Sequence, residues 1–470
     1  MKRLTLAACL IVATVVAAQE RIDNLTLEQA VQTALKNHRS LQVSQAALEM
    51  AEAQHQQAMA AFRPKVSLEA GFQRADEDRT FTFSGAVQTP AMNIGPLLAP
   101  LTGPLPPSMT TIASQTLPIN MDVKMFDRDV TKAGLNLTYP LYTGGKKEAM
   151  TGMAKAGVQI ALEDRRKTEF EVVRDVNKYY HGAQFARQMA QLASDTLERF
   201  QALEDLTERL YQGASLKVKK TDYLRSKTTT AITRSMLQEA RYASVLTQEA
   251  LVNAMGLPVN SAVTLAPVVA LPTFDSGLDT LIADAMQFNP DKQRLELAVQ
   301  IADHKIDEAG SAGKPMIGLE ASTYRIWNGY DGGLFNDANR SGWTLGIGVK
   351  WDLFDGGLTR ASVDAARAGR AKLEAQRVLL DNGLALQVKD DFMRIQRSRA
   401  QVDDNAKAQG FAEESRKLHV RAYQEEMVET KDVIEAQIIE SFASANLYRS
   451  QHDLRAALAD LDFRVSKALK

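Results

Sequence analysis

The chain has almost no cysteine: of its 470 residues only Cys9 is one. This excludes a disulfide framework and a cysteine-ligated metal site. Histidine is sparse, and its six positions (38, 55, 181, 304, 419 and 452) never fall close together. Charge of neither sign prevails. Lys plus Arg number 56 and Asp plus Glu 57, a formal charge of -1, which excludes the basic footprint of a nucleic-acid binder. Aromatics make up only 6%, too few for an ordinary globular core of this size. Glycine-rich phosphate loops are missing: Gly144-Gly145-Lys146-Lys147 lacks both the upstream glycine and the downstream Ser or Thr. No serine elbow appears either. These absences predict a protein that is not an enzyme and holds no cofactor or metal. After residue 18 no unbroken apolar 20-mer occurs, so no transmembrane helix is expected.

What is present begins with export. Lys2 and Arg3 precede the apolar run Leu4 to Ala18, and Val16-Ala17-Ala18 offers small residues for cleavage, the pattern of a signal peptide over residues 1–18. Leu6-Ala7-Ala8-Cys9 resembles a lipoprotein box, but almost no apolar segment precedes it.

The remainder is internally duplicated. Gly134 and Leu135 to Gly145 match Gly346 and Ile347 to Gly357 at an offset of 212, which still holds at Tyr211-Gln212 and Tyr423-Gln424. Upstream, Ala34-Leu35 matches Ala285-Met286 and Pro64 matches Pro315 at an offset of 251. The two offsets differ by 39, so the first half carries 39 extra residues between about Gly71 and Gly134, a proline-rich segment expected to form a surface loop. The expected organisation is a first repeat over 19–260, a connector over 261–274 and a second repeat over 275–470.

Each repeat reads as helix, hairpin, long helix, turn and return helix. Thr26 with Gln29 forms a capping box for a helix over 27–62, matched by one over 278–309 that breaks at Asn289-Pro290. After Pro64 and Pro315 the apolar period changes to 2, predicting hairpins over 65–142 and 315–354. Val66, Leu68, Ala70 and Phe72 face one way and Glu69 the other. Trp327, Trp343 and Trp351, with Tyr324, Tyr330 and Phe354, suggest an interfacial aromatic girdle. A small packed hairpin core is the alternative. Gly144-Gly145 and Gly356-Gly357 are turns that end the hairpins, and helices follow over 146–256 and 358–469, each pair interrupted by one turn. The glycines at 157, 182, 369, 383 and 410 predict close contacts or bends. Two strands per repeat make four per chain, too few to close a membrane barrel whose edges lipid does not tolerate, so closure between subunits is required.

In this order, and twice over, these segments resemble the outer membrane efflux protein family, the TolC type of channel. The carriers are Ala34-Leu35, Ala61-Phe62-Arg63-Pro64, Tyr142-Thr143-Gly144-Gly145, Phe354-Asp355-Gly356-Gly357 and the turn segments Tyr211–Leu224 and Tyr423–Glu435. The resemblance implies a mainly α fold with membrane β: a long antiparallel helical coiled barrel in the periplasm, plus four strands per chain contributing to a shared twelve-stranded barrel in a homotrimer. It implies an outer-membrane exit duct that docks through a periplasmic adaptor to an inner-membrane pump. It further implies a periplasmic gate at Tyr423, Asp432 and Glu435, with Asp222 as partner across the turn and Val428 where the family often has arginine. Glu69 and Glu320 are expected to line the barrel lumen. A periplasmic or surface coiled-coil scaffold is the competing class.

Overall fold

The computed structural model describes residues 21–213, 218–259, 261–329 and 336–467. The expected signal segment, the turn residues Ala214 and Ser215, and Tyr330 lie outside these. The first repeat opens with β1 (Arg21–Leu25), α1 (Leu27–Asn37), α2 (Arg39–Ala60) and β2 (Lys65–Arg74). It continues through β3 (Arg79–Gln88), β4 (Met92–Asn93), α3 (Gly95–Thr102), α4 (Pro107–Thr110), β5 (Thr111–Ile112) and β6 (Thr116–Phe126). Then come β7 (Asp129–Tyr142), α5 (Lys146–Gln212), α6 (Lys220–Ala254) and β8 (Ala262–Leu265). The second repeat has α7 (Leu278–Phe288), α8 (Pro290–Ser311), β9 (Met316–Asn328), β10 (Ser341–Lys350), α9 (Leu358–Gln424) and α10 (Thr430–Val465).

The duplication is metric. Helices α1 and α7 have 11 residues each, α2 and α8 have 22, and α5 and α9 have 67. The Thr26 capping box forms: the Gln29 amide donates to Thr26 Oγ1 at 3.3 Å, and the Thr26 amide to Gln29 Oε1 at 3.0 Å. The expected continuous helix over 27–62 does not form. His38 takes φ -65°, ψ 126°, matching Asn289 at -65°, 125°. Asn289 Oδ1 accepts from the Asp291 and Lys292 amides, and His38 Nδ1 accepts from the Ser40 amide. A side-chain acceptor caps the second helix in both repeats, so the break needs no proline after it.

Two compact units cut across the repeats. One takes the chain up to His55 with Gly152–His304 and Ala366–Lys470; the other takes Gln56–Thr151 and Lys305–Ala365. The first unit is helical and holds two related cores. Ala34, Val176, Leu251 and Met255 of one cluster correspond to Ala285, Val388, Leu461 and Val465 of the other, all at 0% exposure. The segment 261–274 is more than a connector, because β8 pairs in parallel with β1, Ile22 opposite Val263. Glycines 157, 182, 369, 383 and 410 have nothing within 4 Å of a Cβ built on them, so they mark no close contact among the described residues.

The second unit contains an antiparallel sheet in the order β10-β9-β7-β2, with β10 and β2 as its edges. The insertion is not an open loop. It forms a two-stranded ribbon, β3 against β6, tipped by the short β4-β5 pair. Alternation in β3 and β6 outweighs the proline count, because the prolines gather at the tip or, as Pro118, sit in a ribbon with no third strand.

Candidate functional site

Register sorts the four-stranded sheet into two faces. One carries Leu68, Leu135, Leu319 and Leu345, and the other carries Glu69, Lys132, Asn136, Glu320 and Thr344. Glu69 and Glu320 therefore share a face, with Glu69 opposite Gly134 and Glu320 opposite Thr138 and Gly346. Tyr324 also lies on this polar face, apart from Trp327 and Trp343. No described residue covers the apolar face: Val66, Leu68, Phe72, Trp343, Leu345, Ile347 and Val349 are each at least 62% exposed. A packed hairpin core is thereby excluded. Trp343 and Trp351 bound the band, roughly 27 Å apart at about 3.4 Å per residue, the order of an outer-membrane apolar belt.

The turns that launch the long helices depend on glycine. Gly144, Gly145, Gly356 and Gly357 have φ of 67°, 95°, 69° and 89°. A Cβ on Gly144 would lie 2.9 Å from Ser311 O and 2.8 Å from Lys314 Cβ, whereas Gly356 faces open space. Each turn has a helix cap that sequence reading missed, at positions related by the 212 offset. Thr143 Oγ1 accepts from the Lys147 amide at 3.0 Å, and the Asp355 carboxylate accepts from the Gly357 and Thr359 amides at 2.9 and 2.8 Å. With the Thr359 hydroxyl bond first, these hold the Asp355 carboxyl below its ordinary range. Pro64 and Pro315 stand immediately before β2 and β9, after turns that follow α2 and α8.

At the far end of the long helices, Tyr423 is 3% exposed. Its hydroxyl lies 3.1 Å from Thr207 Oγ1 on α5 and 2.9 Å from Thr430 Oγ1 on α10. Proton counting orders the chain. The single hydroxyl hydrogen of Thr207 goes to Leu203 O at 2.7 Å. Thr207 must then accept from Tyr423, which in turn accepts from Thr430. Phe200, Leu203, Val433 and Ile434 enclose the group, and Val428 packs against them as an apolar residue.

Asp222 is not the partner of Tyr423. It accepts from the Lys219 amide at 3.0 Å at the start of α6, as Asp432 accepts from the Glu429 amide at 3.0 Å at the start of α10. Both aspartates are third helical residues that satisfy an orphan amide and favour the positive helix end. Glu435 is exposed one turn further on. Glu426 ends α9 at φ 54°, with the Met427 amide donating to Ala422 O and the Glu426 amide to Tyr423 O, a Schellman motif with glutamate where glycine is favoured.

Sequence reading also missed the buried charges above this tip. Glu440, 5% exposed, pairs with Arg199 at 2.6 Å and Arg416 at 2.7 Å, which ties α10 to both long helices. Asp391 is buried beside Arg394 at 3.2 Å, and burial pushes its carboxyl up. Burial raises Asp462 to about 7, and its Oδ1 has no hydrogen-bond partner among the described residues. No periodicity marks Glu440 in advance, since its partners lie on other helices.

The outer membrane efflux protein model matches residues 30–101, 104–257 and 281–464. No curated protein sequence matches the chain. Among solved structures, the outer membrane protein VceC of Vibrio cholerae superposes with a TM-score of 0.73 at 17% identity, covering 94% of this chain and 97% of that one. The CmeC outer membrane channel of Campylobacter jejuni gives 0.74 at 15%, covering 94% and 85%. A membrane protein from Pseudomonas aeruginosa gives 0.73 at 19%, covering 94% and 93%. At such identity these structures establish the fold. The family model spans most of both repeats, and so the chain belongs to the outer membrane efflux protein family.

Proposed function

We propose that three copies of this chain form one passive exit duct, in which four strands from each copy close a twelve-stranded outer-membrane barrel. The observation that carries this reading is the four-stranded sheet itself. Among the described residues its apolar face is uncovered and its edges β2 and β10 have no strand partner. Unpaired backbone groups in lipid cost several kcal/mol each, so β2 of one copy must meet β10 of the next. The polar face then lines the lumen and carries Glu69 and Glu320 from every subunit.

At the periplasmic mouth, Tyr423 locks α9 to α5 and α10, and exposed Glu435 with Asp432 forms an acidic ring. Release of the Tyr423 chain would let the helix pairs untwist when a periplasmic adaptor docks, while an inner-membrane pump supplies the energy. Nothing in this role requires catalysis. Planar-bilayer recording tests it. The protein should give long-lived cation-selective channels blocked by polyvalent cations, with block lost in Asp432→Asn/Glu435→Gln. Block that is unaltered in the double variant would remove the acidic gate, and a soluble monomer that keeps its β content would remove the duct.

A further inference from the structure

The ribbon inserted in the first repeat has a peculiar charge distribution. Residues 80–121 contain no Asp, Glu, Lys or Arg, in a chain that is 24% charged. Its register sorts the ribbon cleanly. Phe81 pairs with Val123, Phe83 with Met121, Gly85 with Ile119 and Val87 with Leu117, all on one face. The other face pairs Thr82 with Asp122 and Ser84 with Asn120, and Thr82 Oγ1 donates to Asp122 Oδ1 at 2.6 Å. One cross-strand pair of the polar face is thus joined by a side-chain hydrogen bond. The apolar face is largely exposed, with Phe81, Phe83, Leu117 and Met121 each at least half exposed and Ile119 partly buried. A two-stranded ribbon is marginal alone in water, so a cover for this face contributes directly to its order.

Charge gathers instead at the root. Lys124 contacts Asp78 at 2.7 Å and Asp127 at 3.2 Å, Arg74 contacts Asp129 at 3.5 Å, and Asp127 accepts from the Gly329 amide. This collar stands between the ribbon and the apolar band of the sheet. Hydrocarbon covering the band lies on the other side of the collar, which argues against lipid as the cover. Two features point to another copy of the chain. The ribbon grows from β2, an edge of the sheet, and therefore stands beside the seam between subunits. A face that meets its own copies about a symmetry axis places identical groups together, where any charge repels itself, and this face has none.

We propose that the apolar faces of three ribbons, built on Phe81, Phe83, Ile119 and Met121, pack against one another on the threefold axis outside the barrel. This rests on the trimeric reading above. The test uses the full chain, purified in detergent, with Phe83→Cys, Met121→Cys and, on the opposite face, Ser84→Cys, each treated with a short bis-maleimide. Because residues 19–470 hold no cysteine, any link in this region reports the introduced thiol. Light scattering of the same samples gives the subunit number. A band shifted to twice the monomer mass for Phe83→Cys and Met121→Cys, absent for Ser84→Cys, is the expected result. Trimers that show no shift, or equal shifts at all three positions, overturn the packing while leaving the duct intact. A protein that is not trimeric overturns both. If unlinked trimers carry at residue 83 a polarity-sensitive maleimide dye whose emission shifts to the blue in phospholipid vesicles, the cover is lipid.

Discussion

The two repeats place a tyrosine at the same point, 66 residues after the second turn glycine, and use it differently. Tyr423 is buried and hydrogen-bonded to hydroxyls on two other helices. Tyr211 is 37% exposed and stacks on Tyr223, ring centroids 5.7 Å apart and planes 5° apart. The neighbours explain the difference. Thr207 corresponds to His419 at the 212 offset, and beyond the shorter second turn Thr430 corresponds to Lys220 at an offset of 210. Neither position equivalent to Thr207 or Thr430 therefore offers Tyr211 a threonine hydroxyl. Duplication conserves the position along the helix, whereas burial depends on which helix stands opposite.

Substitutions at equivalent positions of the two repeats test this contrast. Glu440 corresponds to Thr230, a buried residue that donates to Ser226 O. Glu440→Ala strands Arg199 and Arg416 and should cost about 3–5 kcal/mol in denaturant unfolding of the solubilised protein. Thr230→Ala should cost about 1 kcal/mol. Equal losses would mean that the ion-paired cluster contributes no more than one hydroxyl.

Turn glycines come next. Gly356→Ala meets only left-handed strain, about 1–2 kcal/mol, while Gly144→Ala adds overlap with Ser311 and Lys314, for about 2–3 kcal/mol in all. Thermal unfolding of the two variants side by side measures the gap.

Asp462 corresponds to Val252, which is 1% exposed. With its carboxyl raised to about 7, the folded state holds a proton that the unfolded chain releases near pH 4. Its contribution is therefore intact below pH 4 and lost as pH rises toward 7. Asp462→Val should be more stable than the wild type at pH 8 by an amount on the order of 2 kcal/mol, discounted for partial exposure, and the gap should shrink toward pH 5. A gap independent of pH would assign the gain to packing alone.

Tyr423→Phe should cost about 1 kcal/mol and raise open probability in bilayers, while Tyr211→Phe should leave both unchanged. The smallest effect is a gain. Glu426→Gly relieves the left-handed residue after α9 by roughly 0.5–1 kcal/mol, read as a higher unfolding midpoint.

Local signals were legible in the sequence. Thr26 and Gln29 are three residues apart, so their capping box needs no other part of the molecule. The alternation of Val66, Leu68 and Phe72 specified a sheet face before any partner strand was known, because the side-chain period of a strand is two. The helix break at His38 was hidden, because an imidazole acceptor took the place of the Asn-Pro pair that advertises its counterpart. The ribbon was hidden too: prolines at its tip obscured the alternation of Phe81, Phe83 and Val87.

The duplication, the lengths of the long helices, the glycine turns and the two-faced strands all follow from period and backbone stereochemistry within a few residues of chain. Packing alone decided that Tyr423 bonds Thr207 and that Glu440 joins two arginines. Such contacts depend on which side chains from distant segments share a low-dielectric site, and neither propensity nor periodicity carries that information.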